Sequence, residues 1–209
     1  MAITIERAKN WYADTDAVHG FGHIRRVYRL CEQIGPLENA DMEILLSAAL
    51  LHDAQGGHPG EGKRKDHHIH SAHFAKTILE QESWQAERIA AVQHCIRAHR
   101  FRNQELPQTI EAKVLFDADK IDVIGAVGVV RALAYAFQAE QPFFEKPSAG
   151  FLANGEKLPG EPHSAYHEYH FKLKHISGLL FTQTAREIAG QRQIFLNTFF
   201  AQLAQEMDI

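Results

Sequence analysis

The stretch ILLSAALLHD, residues 44–53, decides the fold class because it is apolar on nearly every side and ends in two polar residues. A helix that is apolar all round belongs in the centre of a protein. His52 and Asp53 therefore end a helix that is at least partly buried. A buried carboxylate is costly unless it is paired or bound to a cation, and one metal ion would satisfy both side chains. The plainer alternative is a histidine near the negative end of the helix followed by an aspartate that begins a loop.

Helical periodicity extends along nearly the whole 209-residue chain, which favours an all-α fold. We predict helices over the segments 3–13, 23–34, 40–53, 68–81, 86–100, 109–138, 164–177 and 182–207. Residues 139–163 hold four prolines and three glycines without a steady period, so we expect a long irregular excursion there, of the kind that often forms a lid. We expect one helical domain over residues 1–209, with its core at about 19–131 and the helices of 164–207 packed on it.

Composition excludes several classes of protein. The formal net charge is −4 and the isoelectric point about 6.4, which argues against a stable nucleic-acid partner. No run of 18 apolar residues predicts a membrane span, and the charged N-terminal segment does not resemble a secretory signal. Cys31 and Cys95 lie in helical patterns, as buried free thiols do, so we expect a cytoplasmic protein without a disulfide. The chain has 14 histidines, and histidine is the commonest metal ligand.

Three aspartates interrupt the apolar segment KVLFDADKIDVIGAVGVVR, residues 113–131. Asp119 and Asp122 are three residues apart and share a helix face, whereas Asp117 and Asp119 point to nearly opposite sides. Periodicity does not choose between them, because this segment is apolar on several sides. His23 opens the second predicted helix after Gly20-Phe21-Gly22, so its side chain is free to turn inward.

These residues form an ordered set on helices: His23 in HGFGHIRRV, the pair His52-Asp53 in ALLHD, and Asp119 in DADKID. The set resembles the HD-domain superfamily of metal-dependent phosphohydrolases. The segments AVQHCIRAHRF and EYHFKLKHISGLLFTQTAREIAGQR are similar to the small stand-alone bacterial members of that superfamily. The resemblance covers roughly residues 12–207 and implies a compact multi-helix HD-domain bundle.

The resemblance implies that His23, His52, Asp53 and Asp119 hold one divalent metal. In the family the aspartate of an Ala-Asp-Lys or Ala-Asp-Arg tripeptide is the ligand, which favours Asp119. Asp122 would then lie next to the ligands, and Asp117 is the less favoured alternative. Two imidazoles and two carboxylates suit Mn, Fe, Co, Ni or Zn, with Mg as a further option.

The chemistry implied by the resemblance is cleavage of a phosphate ester or anhydride of a small phosphorylated metabolite. The family suggests a nucleotide, for example a nucleoside triphosphate cut to monophosphate and pyrophosphate. A metal in such a site activates water and polarises a phosphoryl oxygen. We assign His52, Asp53 and Asp119 to catalysis, with Asp53 or Asp119 orienting the attacking water. The loop after the HD pair offers only Glu61 before Asp66, and we assign it no role as base.

Phosphate groups need positive charge and hydrogen-bond donors. Arg26 shares the helix face of His23, and Lys120 follows Asp119, so both are candidate substrate contacts. His99 faces inward at the end of its helix, either as a core histidine or, as the family favours, as a residue facing the phosphate. Lys63, Arg64 and Lys65 would be outer contacts at most. The candidates for stacking on a base are unranked: Phe101, Phe143, Phe144 and Tyr166.

The remaining histidines offer weaker hypotheses. The segment HHIHSAH, residues 67–73, contains His70 and His73 on one helix face, either for a second metal or as a solvated polar surface. His19 would lie at the rim of the site or in a plain loop. Two other functions are considered: a metal-containing HD module that binds a nucleotide without turnover, and a metal-handling protein that uses the excess of histidines.

Overall fold

The computed structural model describes residues 3–12, 20–55, 66–100 and 105–207. Within these ranges the chain forms ten α-helices, a 3₁₀ helix and no strand, which confirms the all-α fold. The α-helices are α1 (Ile5–Lys9), α2 (Phe21–Ile34), α3 (Met42–Leu51), α4 (His67–Gln81), α5 (Ala86–Ala98), α6 (Ile110–Ile121), α7 (Gly125–Gln138), α8 (Ala149–Asn154), α9 (Ala165–Phe171) and α10 (Gln183–Met207). The 3₁₀ helix spans Leu173–Leu179.

The chain divides into two compact units. The first comprises Met1–Asp119 and Phe181–Ala185, and the second comprises Lys120–Leu180 and Arg186–Ile209. The expectation of one domain over residues 1–209 stays a prediction. In the described ranges no single helix is both long enough and apolar enough to span a membrane. The bent pair of α6 and α7 meets the length and composition criteria only when the two helices are taken together.

Helix α3 is the centre of the first unit, as its sequence predicts. It packs against α1, α2, α4 and α5, and seven of its ten residues are buried. Its first turn is capped by Asp41, whose carboxylate accepts hydrogen bonds from the backbone of Glu43 and Ile44. At Gly35, which follows α2, a β-carbon would lie 2.9 Å from the backbone carbonyl oxygen of Cys31, so a larger residue would force this turn to shift.

The predicted long helix over 109–138 is wrong, because the chain forms α6 and α7 with a break between them. Ile124 has extended backbone angles, and Gly125 adopts a φ of +75°, a left-handed conformation that favours glycine. The side chain of Arg192 covers Gly125, and its guanidinium donates a hydrogen bond to the carbonyl of Ile121. This arrangement belongs entirely to the second unit.

The excursion over residues 139–163 is mainly irregular but contains the short helix α8, which periodicity did not predict. Ser148 caps α8 through its hydroxyl, and Gly155 ends it with a φ of +80°. Glu161 holds the segment together by accepting hydrogen bonds from Ser148 and from the backbone of Leu158. Its carboxylate also pairs with the buried His167 on α9.

Candidate metal site

His52 and Asp53 follow the last residue of the central helix α3. The backbone carbonyl of Ala49 lies 2.9 Å from Nδ1 of His52. A carbonyl can only accept, so Nδ1 carries the proton of the neutral ring, and Nε2 keeps its lone pair for a ligand. The His52 side chain is fully buried, whereas that of Asp53 is 12% exposed. The end of the apolar helix therefore directs one nitrogen and one carboxylate into the same space.

His23 and Asp119 bring two further groups to this position from α2 and α6. The Nε2 atom of His23 lies 3.3 Å from Oδ1 of Asp119 and 3.4 Å from Nε2 of His52. It also lies 3.9 Å from Oδ2 of Asp53. The structure thus brings all four sequence-predicted ligands together within the first unit.

The donor atoms are close enough for one ion. Those of His23, His52 and Asp119 lie within 4.8 Å of one another, and so do those of His52, Asp53 and His99. Oδ1 of Asp53 is buried and accepts no hydrogen bond within the described part of the chain. A buried carboxylate oxygen without a donor is costly, and a cation would supply its missing partner. Two neutral imidazoles and two carboxylates are a suitable donor set for a divalent transition metal.

Electrostatics at the site favour the ligand forms of these side chains. Burial lowers the pKa of His52 to about 4, an effect that the nearby Asp53 carboxylate only partly offsets. Burial alone would raise the pKa of Asp53, but the neighbouring imidazoles of His52, His99 and His67 bring it well below its ordinary value. A neutral imidazole and an ionised carboxylate are the forms that bind metals.

Two histidines line the other side of Asp53. Nε2 of His99, which ends α5, lies 3.5 Å from Oδ1 of Asp53, and Nε2 of His67, which begins α4, lies 3.3 Å from the same oxygen. The ring of His99 is 5.0 Å from that of His52 and 5.5 Å from that of His67. His99 thus faces inward, as its periodicity predicts, and lies beside Asp53.

His67 is the residue that sequence reasoning missed, since we considered it only within a group of histidines for a second metal. His70 and His73 are exposed on α4 and belong to neither candidate ligand group of the described residues. Their placement fits a solvated polar surface. His68 is buried behind His67, and burial lowers its pKa to about 4.

The two remaining aspartates of the α6 segment have other partners. Asp117 accepts three hydrogen bonds: from the backbone of Phe181 at 2.9 Å, and from the backbone and hydroxyl of Thr182, both at 2.7 Å. Asp122 forms an ion pair with Arg131 within the second unit. Asp117 therefore attaches the segment just before α10 to α6.

The predicted substrate contacts are placed as follows. Arg26 is half-buried on α2, and its guanidinium packs over Gly22. Lys120 follows Asp119 on α6 and is buried. In the second unit, Phe144 and Tyr166 have ring centroids 4.8 Å apart, and Phe143 is exposed. Several candidates lie outside the described residues: His19, Glu61, Lys63, Arg64, Lys65 and Phe101.

Comparisons with known proteins show which family the chain belongs to. The family model of the HD domain matches residues 20–124, which include all four ligand candidates. The chain belongs to the HD-domain family. It is 30% identical to the uncharacterized protein YpgQ of Bacillus subtilis over 97% of this chain and 93% of that protein.

Solved structures share the fold over almost the whole chain. The crystal structure of YpgQ in complex with ADP superposes with a TM-score of 0.75 at 29% identity and covers 97% of both chains. A Lactobacillus plantarum protein gives a TM-score of 0.76 at 25% identity, covering 98% of this chain and 94% of its own. A predicted HD superfamily hydrolase from an uncultured Thermotogales bacterium gives 0.65 at 25% identity, covering 97% and 90%. The chain thus has the fold of HD-superfamily hydrolases.

Proposed function

We propose that the protein is a metal-dependent phosphohydrolase that cleaves a phosphate ester or anhydride of a nucleotide. One observation carries this proposal: the Nε2 atoms of His23 and His52 converge with the carboxylates of Asp53 and Asp119 in one buried place. One divalent metal would satisfy all four groups at once.

The four candidate ligands have different proposed roles. A bound metal would supply Lewis acidity towards a phosphoryl oxygen and lower the pKa of water. His23 and His52 would hold it through neutral nitrogens. Asp53 and Asp119 would contribute negative charge, and either carboxylate can orient an attacking water by accepting its hydrogen bond. Since this proposal uses direct attack by water, it requires no serine or cysteine nucleophile.

Two observations support a nucleotide substrate: a relative binds ADP in a crystal, and this chain has basic side chains near the candidate ligands. YpgQ, which shares the fold, was crystallised with ADP. In this chain Arg26 and Lys120 are the proposed contacts for phosphate oxygens, and His99, which lies beside Asp53, is proposed as a third substrate contact. A nucleoside triphosphate cut to monophosphate and pyrophosphate fits a site that combines one metal with several donors.

A second candidate function is nucleotide binding without turnover, which an ADP complex of a relative also supports. The two functions differ in one measurable respect. A module that only binds would gain thermal stability with nucleotide and form no product. A hydrolase would release phosphate or pyrophosphate in proportion to enzyme and time.

The test is product analysis after incubation of the manganese-loaded protein with a panel of ribo- and deoxyribonucleoside tri-, di- and monophosphates. Asp53→Asn is the inactive variant, and Glu80→Gln, an exposed substitution on α4, is the matched control. We expect pyrophosphate or phosphate from the wild type and the control, and none from Asp53→Asn. Stabilisation by a nucleotide without product would favour the binding module, and full activity of Asp53→Asn would contradict the proposed site.

A further inference from the structure

Tyr12 lies in the turn that follows α1 and reaches the end of the central helix. Its hydroxyl donates a hydrogen bond of 2.7 Å to the backbone carbonyl of Leu50. Leu50 belongs to the last turn of α3, where the backbone carbonyl groups find no N–H partner within the helix. The bond therefore caps a helix end with a side chain that comes from a distant part of the chain.

The acceptor of this bond lies directly before the candidate ligands in the chain. The Leu50 carbonyl is two residues before His52 and three residues before Asp53. A hydroxyl donates to a carbonyl, so the bond from Tyr12 holds the end of α3 at the point where the turn with both ligands begins.

The ring of Tyr12 is held in place by α2. Its centroid lies 5.7 Å from that of Phe21, which is buried at the start of α2, two residues before His23. Tyr12 therefore contacts both helices that supply a histidine to the candidate metal site. Its hydroxyl acts on the turn that carries His52 and Asp53, and its ring acts on the turn that carries His23.

We infer that Tyr12 is a positioning residue, which holds the turn after α3 in the orientation that directs Nε2 of His52 and the carboxylate of Asp53 towards one ion. This inference rests on the proposed metal site. Residues outside the ligand set that hold metal ligands in place are important for affinity, and loss of direct partners weakens metal binding about 10- to 100-fold. A tyrosine that merely packed the N-terminal segment would affect the stability of the fold but would not change the affinity for metal in the folded protein.

The variant that separates these roles is Tyr12→Phe, which keeps the ring and removes the hydroxyl. Tyr28→Phe is the matched control, because Tyr28 lies on α2 and its hydroxyl makes no hydrogen bond in the described part of the chain. Three quantities are measured on the full chain: the melting temperature in EDTA, the exchange rate of the Asp53 amide by NMR in EDTA, and the affinity for Mn²⁺ by calorimetry.

We expect Tyr12→Phe to exchange the Asp53 amide about fivefold faster than the wild type and to bind Mn²⁺ roughly tenfold more weakly. Tyr28→Phe should match the wild type in both. Equal Mn²⁺ affinity in the two variants would overturn the role of Tyr12 alone. A wild-type protein that binds no divalent metal would overturn the metal site itself, together with the role of Tyr12. A melting temperature in EDTA that falls without a change in amide exchange would assign Tyr12 to packing and would also overturn the inference.

Discussion

Nε2 of His23, which is buried on α2, lies 3.3 Å from Oδ1 of Asp119, which is half-buried on α6. An imidazole nitrogen and a carboxylate oxygen at this distance can share a proton or bind one cation, and the presence of His52 and Asp53 at the same place favours the cation. The pair therefore joins two distant segments of the chain at one potential ion. It also makes Asp119 the most informative single position in the site.

Substitution of Asp119 by asparagine should abolish tight metal binding and leave the fold intact. The amide keeps the shape of the side chain but removes the negative charge that a divalent ion needs. We expect the affinity for Mn²⁺ to fall at least about 100-fold, while the melting temperature in EDTA stays within about 3 °C of the wild type. Calorimetric titration and thermal melts check both values, with Glu80→Gln as the control. Retention of wild-type affinity would contradict the ligand role of Asp119.

Asp117, two residues earlier on the same helix, should behave in the opposite way. Its carboxylate accepts three buried hydrogen bonds from Phe181 and Thr182, and in Asp117→Asn a donor amide would replace one acceptor oxygen. We expect the free energy of unfolding to fall by roughly 2–4 kcal/mol in urea titrations. Thr182→Val, which removes one hydroxyl, should cost about 1 kcal/mol.

The folded fraction of Asp117→Asn should bind Mn²⁺ with nearly wild-type affinity. Weaker metal binding without a loss of stability would instead place Asp117 in the metal site. The two aspartates together thus separate a structural carboxylate from a metal ligand within one turn of helix.

The contrast between Asp117 and Asp119 also shows how far the sequence predicts the site. Periodicity placed them on opposite sides of α6 but could not tell which side faced the metal, because the segment is apolar on several sides. Hydrogen bonds from residues 181 and 182 occupy Asp117, and no local pattern encodes a contact between residues so far apart in the chain. The choice of Asp119 came from the family resemblance.

The fold was largely predictable for a simple reason. Helix α3 is apolar on all sides, and its burial follows directly from that composition. The break between α6 and α7 was not predicted, because the apolar pattern continues through Gly125, and only the backbone angle of that glycine interrupts the helix. The position of His67 beside Asp53 was not predicted for a related reason. Its distance from Asp53 depends on where the loop before α4 ends, and helical periodicity does not describe the path of a loop.

His67 provides a third prediction. Its Nε2 lies 3.3 Å from Oδ1 of Asp53, whereas His70, one turn later on α4, is exposed. If His67 acts on the carboxylate that orients water, His67→Gln should lower kcat/KM roughly 10- to 100-fold and weaken Mn²⁺ binding less than Asp119→Asn does. His70→Gln is a control of the same residue type on the same helix and should match the wild type. Equal kinetics of the two variants would show that His67 has no part in the reaction.

The last prediction concerns pH and the metal-free protein. Burial lowers the pKa of His52 to about 4, whereas in the unfolded chain the imidazole titrates near 6.5. Between these values the unfolded chain binds a proton that the folded protein does not, so the stability falls as the pH drops from about 6.5 to 4 and changes no further below that. The contribution of His52 is on the order of 3 kcal/mol.

Urea unfolding in EDTA at pH 7.5 and at pH 4.5 measures this contribution. His68 and His170, whose pKa values burial also lowers to about 4, add to the loss in the wild type. His52→Gln should therefore lose less free energy of unfolding between the two pH values than the wild type, by about 2–3 kcal/mol. His73→Gln removes an exposed histidine and should keep the wild-type difference. If both variants lost the same free energy, burial would not keep His52 neutral. The neutral form that binds a metal at pH 7 would then have to be explained in another way.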